Sequence, residues 1–139
     1  MGSVLRLAAN IGALKTLFIS EFAHKFKSYK IKKTASGAFD KTDWKIISPE
    51  ELQKELPEDY QLIALETSPS AQNIYSFSFP GKIALCIGNE KNGIRHELLE
   101  QTKHQLYIPL PGPVTSLNTT HALSIALFEW YRQISIKTS

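Results

Sequence analysis

The sequence, 139 residues long, predicts an α/β fold: a mainly parallel sheet flanked by helices. Three observations carry this. Short apolar strands alternate with helical segments along the whole chain, as crossover connections between parallel strands require. One segment, Lys82 to Ile87 (KIALCI), is an almost unbroken apolar run, the pattern of a strand covered on both faces. Glycine- or proline-rich loops follow strands at their carboxyl ends, where parallel sheets bind ligands.

Taken in order, Ser3 to Ala13 reads as a helix, because Val4, Leu5, Leu7, Ala8 and Ile11 recur at helical spacing and Gly12 suits a stop. Leu17-Phe18-Ile19 is a short strand. Lys30 to Lys33 is extended or loop, and Ala35-Ser36-Gly37-Ala38 is a small-residue segment able to start a short helix. Trp44 to Ile47 is a strand. Pro49, Glu50 and Glu51 open a helix to about Leu56, with acids facing the positive end of its dipole. Gln61 to Glu66 (QLIALE) is a strand and Thr67-Ser68-Pro69-Ser70 is turn chemistry. Ser76 to Phe79 alternates weakly and ends at Pro80-Gly81. After the Lys82–Ile87 strand come a loop from Gly88 to Gly93, a short helix from Arg95 to Gln101 and a last strand, Leu106-Tyr107-Ile108. A proline-rich loop from Pro109 to Thr115 leads into a long helix, Leu117 to Ile134, with Ala122, Ile125, Ala126 and Trp130 as candidate core positions. No repeat, low-complexity stretch or linker divides the chain, so one domain is expected.

With 42% hydrophobic and 21% charged residues, the composition is that of a globular protein, not of a disordered or membrane-embedded chain. No apolar run reaches the roughly 18 residues that span a bilayer. Arg6, Asn10, Gly12 and Lys15 interrupt the mildly apolar start, which lacks the order of a secretion signal, so a cytoplasmic protein is expected. Cys86 is the sole cysteine, which excludes an internal disulfide and a multi-cysteine zinc site and suits a small buried hydrophobe. His24, His96, His104 and His121 do not pair at metal-ligand spacing, and no metal is expected. The net charge of +3 permits a polyanionic partner without demanding one. Lys25, Lys27, Lys30, Lys32 and Lys33, interleaved with Phe26, Tyr29 and Ile31, suit either a solvated surface or a phosphate-contacting patch.

Two loops carry candidate chemistry. In Gly88-Asn89-Glu90-Lys91-Asn92-Gly93, Gly88 admits a close approach to the backbone and Glu90 stands at a strand's carboxyl end. An ordinary strand-to-helix turn also fits this segment. It is neither a P-loop nor a dinucleotide fingerprint, since the lysine and the glycine spacing are wrong. In the second loop, three prolines, with Gly112 among them, stiffen the chain after a strand. Ser116 then sits where a helix cap belongs and Asn118 falls in the first turn. Amide donors there suit a carboxylate or an adenine edge. Capping explains Ser116 but not an asparagine just after it.

GNEKNG, followed after a strand by IPLPGPVTSLNTTHALSIALFEWYRQ, resembles the second and third signature motifs of the SpoU methyltransferases, members of the knotted SPOUT superfamily. The second motif of that family is a strand ending in Gly-Asn-Glu and then Gly. Its third is Ile-Pro-Met/Leu, then Ser-Leu-Asn and an alanine-rich helix. Its first motif is Asn-x-Gly, three residues, then Arg. Gly2 and Arg6 match the glycine and arginine, and Ala8, Ala9 and Gly12 match the motif's helix. The motif's asparagine would fall two residues before Gly2. Residues 1–139 therefore resemble a single SpoU-type domain, N-terminally incomplete, lacking the first strand and the start of motif 1. Ala35 to Ala38 resembles the family's small-residue stretch after the second strand.

The resemblance implies a C-terminal deep trefoil knot, S-adenosylmethionine as cofactor, and 2′-O-methylation of a ribose in tRNA or rRNA. It implies cofactor contacts at Leu65, Thr67, Gly88, Asn89, Ile108, Leu110, Ser116 and Leu117, and catalytic roles for Arg6, Glu90 and Asn118. It favours RNA binding by Lys25, Lys27, Lys30, Lys32 and Lys33. It implies a homodimer in which the long C-terminal helix, crowded with Leu127, Phe128, Trp130 and Tyr131, is an interface. A base role for the arginine conflicts with the chemistry of a guanidinium, which keeps its proton far above neutral pH; gripping an RNA phosphate suits Arg6 better. Two rival readings are a knotted dimer that binds cofactor or RNA without transferring a methyl group, and a nucleotide-binding α/β protein.

Overall fold

A computed structural model of the chain describes residues 2–13, 15–21, 43–89 and 92–138. The five lysines from Lys25 to Lys33, the Ala35–Ala38 segment and Glu90 lie outside the described residues. The chain divides into two compact units, Met1–Leu56 and Pro57–Ser139.

In the first unit, helix α1 (Gly2–Ile11) stops before Gly12, the residue that suits a stop, two residues short of the expected Ala13. Gly12 adopts φ 75°, and the Gly12 and Ala13 amides both donate to the Ala8 carbonyl at 3.0 Å, so two N–H groups close the helix end. Strands β1 (Thr16–Ile19) and β2 (Trp44–Ile47) pair in parallel, Thr16 opposite Trp44 and Ile19 opposite Ile47. Leu5 is fully buried against Ala9, Phe18, Trp44 and Ile46, and the Phe18 and Trp44 rings meet edge to face at 6.2 Å. The helix expected after Ser48 forms as a 3-10 turn, Pro49–Glu51, running into α2 (Leu52–Glu55). The Ser48 amide and hydroxyl both donate to Glu51 Oε1, at 3.3 and 2.9 Å, which fixes the start. Glu55 receives Lys15 at 3.1 Å and Lys45 on its other oxygen; the Lys45 bond first and then the Lys15 bond hold its carboxyl below the usual range.

The second unit carries a parallel sheet of β3 (Gln61–Leu65), β4 (Gln72–Asn73), β5 (Ile83–Cys86) and β6 (His104–Tyr107), in the order β4-β6-β3-β5. β3 is central, and Leu62, Ile63 and Ala64 are buried. Helices α3 (His96–Gln101) and α4 (Thr119–Thr138) complete this α/β unit. Its core gathers Ile63, Ile74, Phe77, Phe79, Leu106 and Ala126, with Leu65, Ile83, Leu85, Ile108 and Trp130 packed against it.

Four expectations need correcting. First, the alternation at Ser76 to Phe79 is real, with Phe77 and Phe79 buried and Ser76 and Ser78 exposed, yet no strand pairs there. The Phe79 amide donates to Gln133 Oε1 at 2.9 Å, and Gln133 Nε2 donates to the Phe77 carbonyl at 3.0 Å. A carboxamide offers the same donor and acceptor as a peptide, so one α4 side chain replaces a neighbouring strand. Second, β5 lies at the edge of this sheet among the described residues, and all four of its residues are only half-buried, so its apolar run does not mark a strand covered on both faces. Third, the last strand begins earlier than expected, at His104, whose pairing with Ile63 its polar side chain concealed; Ile108 lies beyond it. Fourth, of the four core candidates on α4, Ala126 is fully buried and Trp130 packs against the core, whereas Ala122 and Ile125 are only half-buried and the positions of Leu123 and Glu129 are buried instead. The charge of Glu129 is matched by two hydrogen bonds from Arg132, at 2.9 and 2.8 Å, and one from Gln133 at 2.8 Å. Arg132 and then Gln133 hold that carboxyl low against the opposing effect of burial.

Candidate functional site

In the second unit, β3 and β5 run side by side to the register pair Ala64–Cys86, so the chain leaves both strands at the same end of the sheet. The two exits are shaped differently. After β5 the backbone folds back on itself. A Cβ added at Gly88 would lie 2.0 Å from the Gly93 carbonyl carbon and 2.3 Å from both the Gly93 oxygen and the Ile94 nitrogen, so only glycine fits. Asn89 and Gly93 form an antiparallel bridge, with the Gly93 amide donating to the Asn89 carbonyl at 3.1 Å. The Asn92 amide donates to Asn89 Oδ1 at 2.7 Å. Gly93 completes the turn at φ 66°, a left-handed conformation that glycine adopts without steric cost.

After β3 stands Glu66. Its amide donates to the Leu106 carbonyl at 3.0 Å, which extends the pairing with β6 by one bond. Its Oε2 accepts from the Ile94 amide at 2.9 Å. The carboxylate thus ties the end of the central strand to the end of the glycine loop. Burial and then the Glu66 charge push the neighbouring Cys86 thiol up to about 11, so that sulfur stays protonated at neutral pH.

The third wall comes from the segment after β6. Asn118, not Ser116, caps α4: Asn118 Oδ1 accepts from the Thr120 amide at 2.9 Å and the His121 amide at 3.4 Å, and its carbonyl takes the first helical bond from Ala122 at 2.9 Å. The helix starts at Thr119, two residues later than the expected Leu117, and this leaves Ser116 exposed ahead of the cap. Asparagine is among the strongest caps, so the residue that capping failed to explain in the sequence is the capping residue itself.

These segments enclose a cleft of 490 Å³, within the roughly 300–1,000 Å³ of ligand pockets. Leu65 and Glu66 line it from β3, Gly88, Asn89 and Gly93 from the glycine loop, and Ser116, Leu117, Asn118 and Thr119 from the start of α4. Six of the residues singled out in the sequence therefore come together: Leu65, Gly88, Asn89, Ser116, Leu117 and Asn118. Thr67, Ile108 and Leu110 do not line the cleft; Thr67 is exposed, Ile108 packs against the core and Leu110 is half-buried. Arg6 is exposed on α1 in the first unit. Sequence reasoning missed Glu66, although an acid closing an apolar strand, QLIALE, was there to be read. Two leucines, hydroxyl and carboxamide side chains and one carboxylate make a cleft suited to an organic ligand held by apolar contact and a few fixed polar groups.

Comparison with known proteins gives this geometry a context. The model of the SpoU rRNA Methylase family matches residues 1–128. The 23S rRNA (guanosine-2'-O-)-methyltransferase RlmB of Xylella fastidiosa strain 9a5c is 32% identical over 138 residues, which are 96% of this chain and 53% of that protein. The chain thus spans about half the length of the curated relative it matches. A solved structure reported as "Structural insights into the 2-OH methylation of C/U34 on tRNA" superposes with a TM-score of 0.80 at 29% identity, covering 96% of this chain and 87% of the other. The SpoU methyltransferase AviRb of Streptomyces viridochromogenes, in complex with AdoMet, shares the fold at a TM-score of 0.79 and 23% identity, covering 95% of this chain and 54% of the other. With the family match running from α1 into α4 and a structural likeness that takes in nearly the whole chain, the protein belongs to the SpoU rRNA methylase family.

Proposed function

We propose that this chain is a methyltransferase domain that transfers the methyl group of S-adenosylmethionine to a ribose 2′-hydroxyl of tRNA or rRNA. The observation that carries the proposal is the convergence of the Gly88–Gly93 loop and the Ser116–Asn118 segment on one cleft. The names of the relatives support it: one acts on 23S rRNA, another structure concerns 2-OH methylation of tRNA, and a third holds AdoMet.

The donor set fits such a cofactor. Leu65 and Leu117 offer apolar surface for an adenine ring, the glycine at Gly88 keeps the loop backbone tightly folded at the cleft wall, and Ser116 and Asn118 offer polar contacts. Thr67, Asn89, Ile108 and Leu110 remain proposed cofactor contacts. Bound S-adenosylmethionine would supply a methyl carbon already activated by its sulfonium, so the protein's work is chiefly to place the ribose hydroxyl and stabilise the charge that develops on it. Arg6, a permanently charged fork, grips an RNA phosphate and stabilises the developing alkoxide. Glu90 orients Arg6 or the ribose. Asn118, whose Oδ1 is engaged by the first amides of α4, hydrogen-bonds the reacting centre or the nearby loop. The lysines from Lys25 to Lys33 add phosphate contacts.

The proposal includes a homodimer, a threaded C-terminal knot and action in the cytoplasm. On α4, Phe128 and Tyr131 are 45% and 53% exposed with their rings edge to face at 6.4 Å, and Ile136 is 60% exposed, an apolar strip that suits a second copy of the chain. Trp130 is not part of that strip: it packs on the core and donates Nε1–H to the Pro80 carbonyl at 3.1 Å.

Methyl transfer from labelled S-adenosylmethionine to unmodified tRNA and rRNA transcripts tests the reading. Transfer that resists alkaline cleavage at one nucleotide is expected, and Arg6→Ala should abolish it while cofactor affinity stays within about twofold. Normal turnover by that variant would remove Arg6 from the mechanism. Absence of cofactor binding by the unaltered chain would sink the proposal as a whole.

A further inference from the structure

Glu66 is the one acidic side chain among the described residues that line the cleft. It does two things. Oε2 accepts from the Ile94 amide at 2.9 Å and so fixes the far end of the glycine loop. The same carboxylate lies against Gly93, where an added Cβ would come within 3.0 Å of Oε2 and 3.3 Å of Oε1. No ion pair neutralises Glu66 among the described residues. A carboxylate has lone pairs for about four hydrogen bonds, and one backbone amide satisfies a single one of them. The charge is half-buried, where water screens it less than at an open surface, and its field is felt at Cys86, whose thiol it helps to keep protonated.

We infer that Glu66 is a specificity-determining residue that makes the cleft prefer a cationic ligand to a neutral one of the same shape. The inference rests on the methyltransferase reading and deepens it. S-adenosylmethionine carries a sulfonium charge, and the thioether left after methyl transfer, S-adenosylhomocysteine, does not. A fixed anion in the wall favours the donor and contributes nothing to the product's retention at its sulfur. The two differ by one methyl group, which apolar contact alone discriminates weakly. An electrostatic preference would therefore help the product leave and the next donor enter.

The clasp and the charge are separable by substitution. Glu66→Gln removes the charge but keeps an amide oxygen able to accept from Ile94; Glu66→Ala removes both. Calorimetric titration with S-adenosylmethionine and with S-adenosylhomocysteine, on the unaltered chain and on both variants, reads the preference. Hydrogen exchange at the Ile94 amide reads the clasp. Glu66→Gln should weaken the donor about tenfold, leave the product within about twofold and leave Ile94 protected. Glu66→Ala should weaken both ligands and expose Ile94 to exchange. Equal losses for donor and product in Glu66→Gln, or no change in either, would overturn the inference and leave the methyltransferase reading standing. Failure of the unaltered chain to bind either ligand would overturn both.

Discussion

Two connections wall the same cleft, and they reach rigidity by opposite means. The Gly88–Ile94 loop is held by backbone lying on backbone: Gly88 packs so closely on Gly93 and Ile94 that a single methyl group has no room. The Pro109–Asn118 segment is held by covalent stiffness and by its end. A Cβ at Gly112 would meet nothing within 4 Å. Proline fixes φ without needing a neighbour, and Asn118 anchors the segment to α4 through the helix amides. The first connection stores its shape in contacts and fails when a contact is disturbed. The second stores its shape in the chain and is expected to tolerate change along its length better than at its anchor. A glycine is thus critical in one wall and idle in the other, though the sequence shows the same letter in both.

The sharpest test of that contrast is Gly88→Ala. The overlap with Gly93 and Ile94 is with main-chain atoms, which cannot swing aside as a side-chain tip would. The loop must open and the Ile94–Glu66 hydrogen bond must go with it. We expect a destabilisation of roughly 3 kcal/mol or more, at the severe end for a single substitution, and loss of at least about a hundredfold in S-adenosylmethionine affinity. Chemical denaturation and calorimetry measure the two. A folded, ligand-binding Gly88→Ala protein would show that the close approach is not what shapes this wall.

The same contrast explains what could be read in the sequence. The α/β class, the parallel pairing of the strands and most element positions were legible in apolar periodicity and turn residues, since local patterns record burial. The loops that flank the cleft were also legible, because Gly88 and the run from Pro109 to Asn118 are conspicuous in composition. Roles set by a partner distant in the chain were not. Phe77 and Phe79 alternate like a strand, but their backbone partner is Gln133, 56 residues from Phe77, and no local pattern announces it. Glu66 looked like the last residue of a strand because its partner, the Ile94 amide, is 28 residues away. Ser116 looked like the cap of α4, and that Asn118 caps it instead depends on where the proline-rich segment delivers the chain.

Asn118 allows the anchor of the second wall to be tested apart from its proposed chemistry. Asn118→Ala strands the Thr120 and His121 amides and should cost about 1 kcal/mol in denaturant unfolding. Asn118→Asp keeps the cap oxygen and adds charge at the favourable end of the helix dipole, so stability should hold. It removes the Nδ2 donors, however, and methyl transfer should fall by about tenfold or more. If both variants lose stability and activity in proportion, Asn118 acts only as a cap; if Asn118→Ala leaves unfolding unchanged, the cap is not what anchors this segment.

The smallest expected effect lies at Gly112. It is exposed, its φ is outside the left-handed region, and the space around its missing side chain is empty. Alanine there loses no native contact and narrows the range of conformations open to the unfolded chain, so Gly112→Ala should leave ligand affinity unchanged and stabilise by about 0.5 kcal/mol. The measurement is a shift of the denaturation midpoint at constant slope. A loss of stability like that expected for Gly88→Ala would mean that the second wall also depends on backbone contact, and the two connections would then share one means of support.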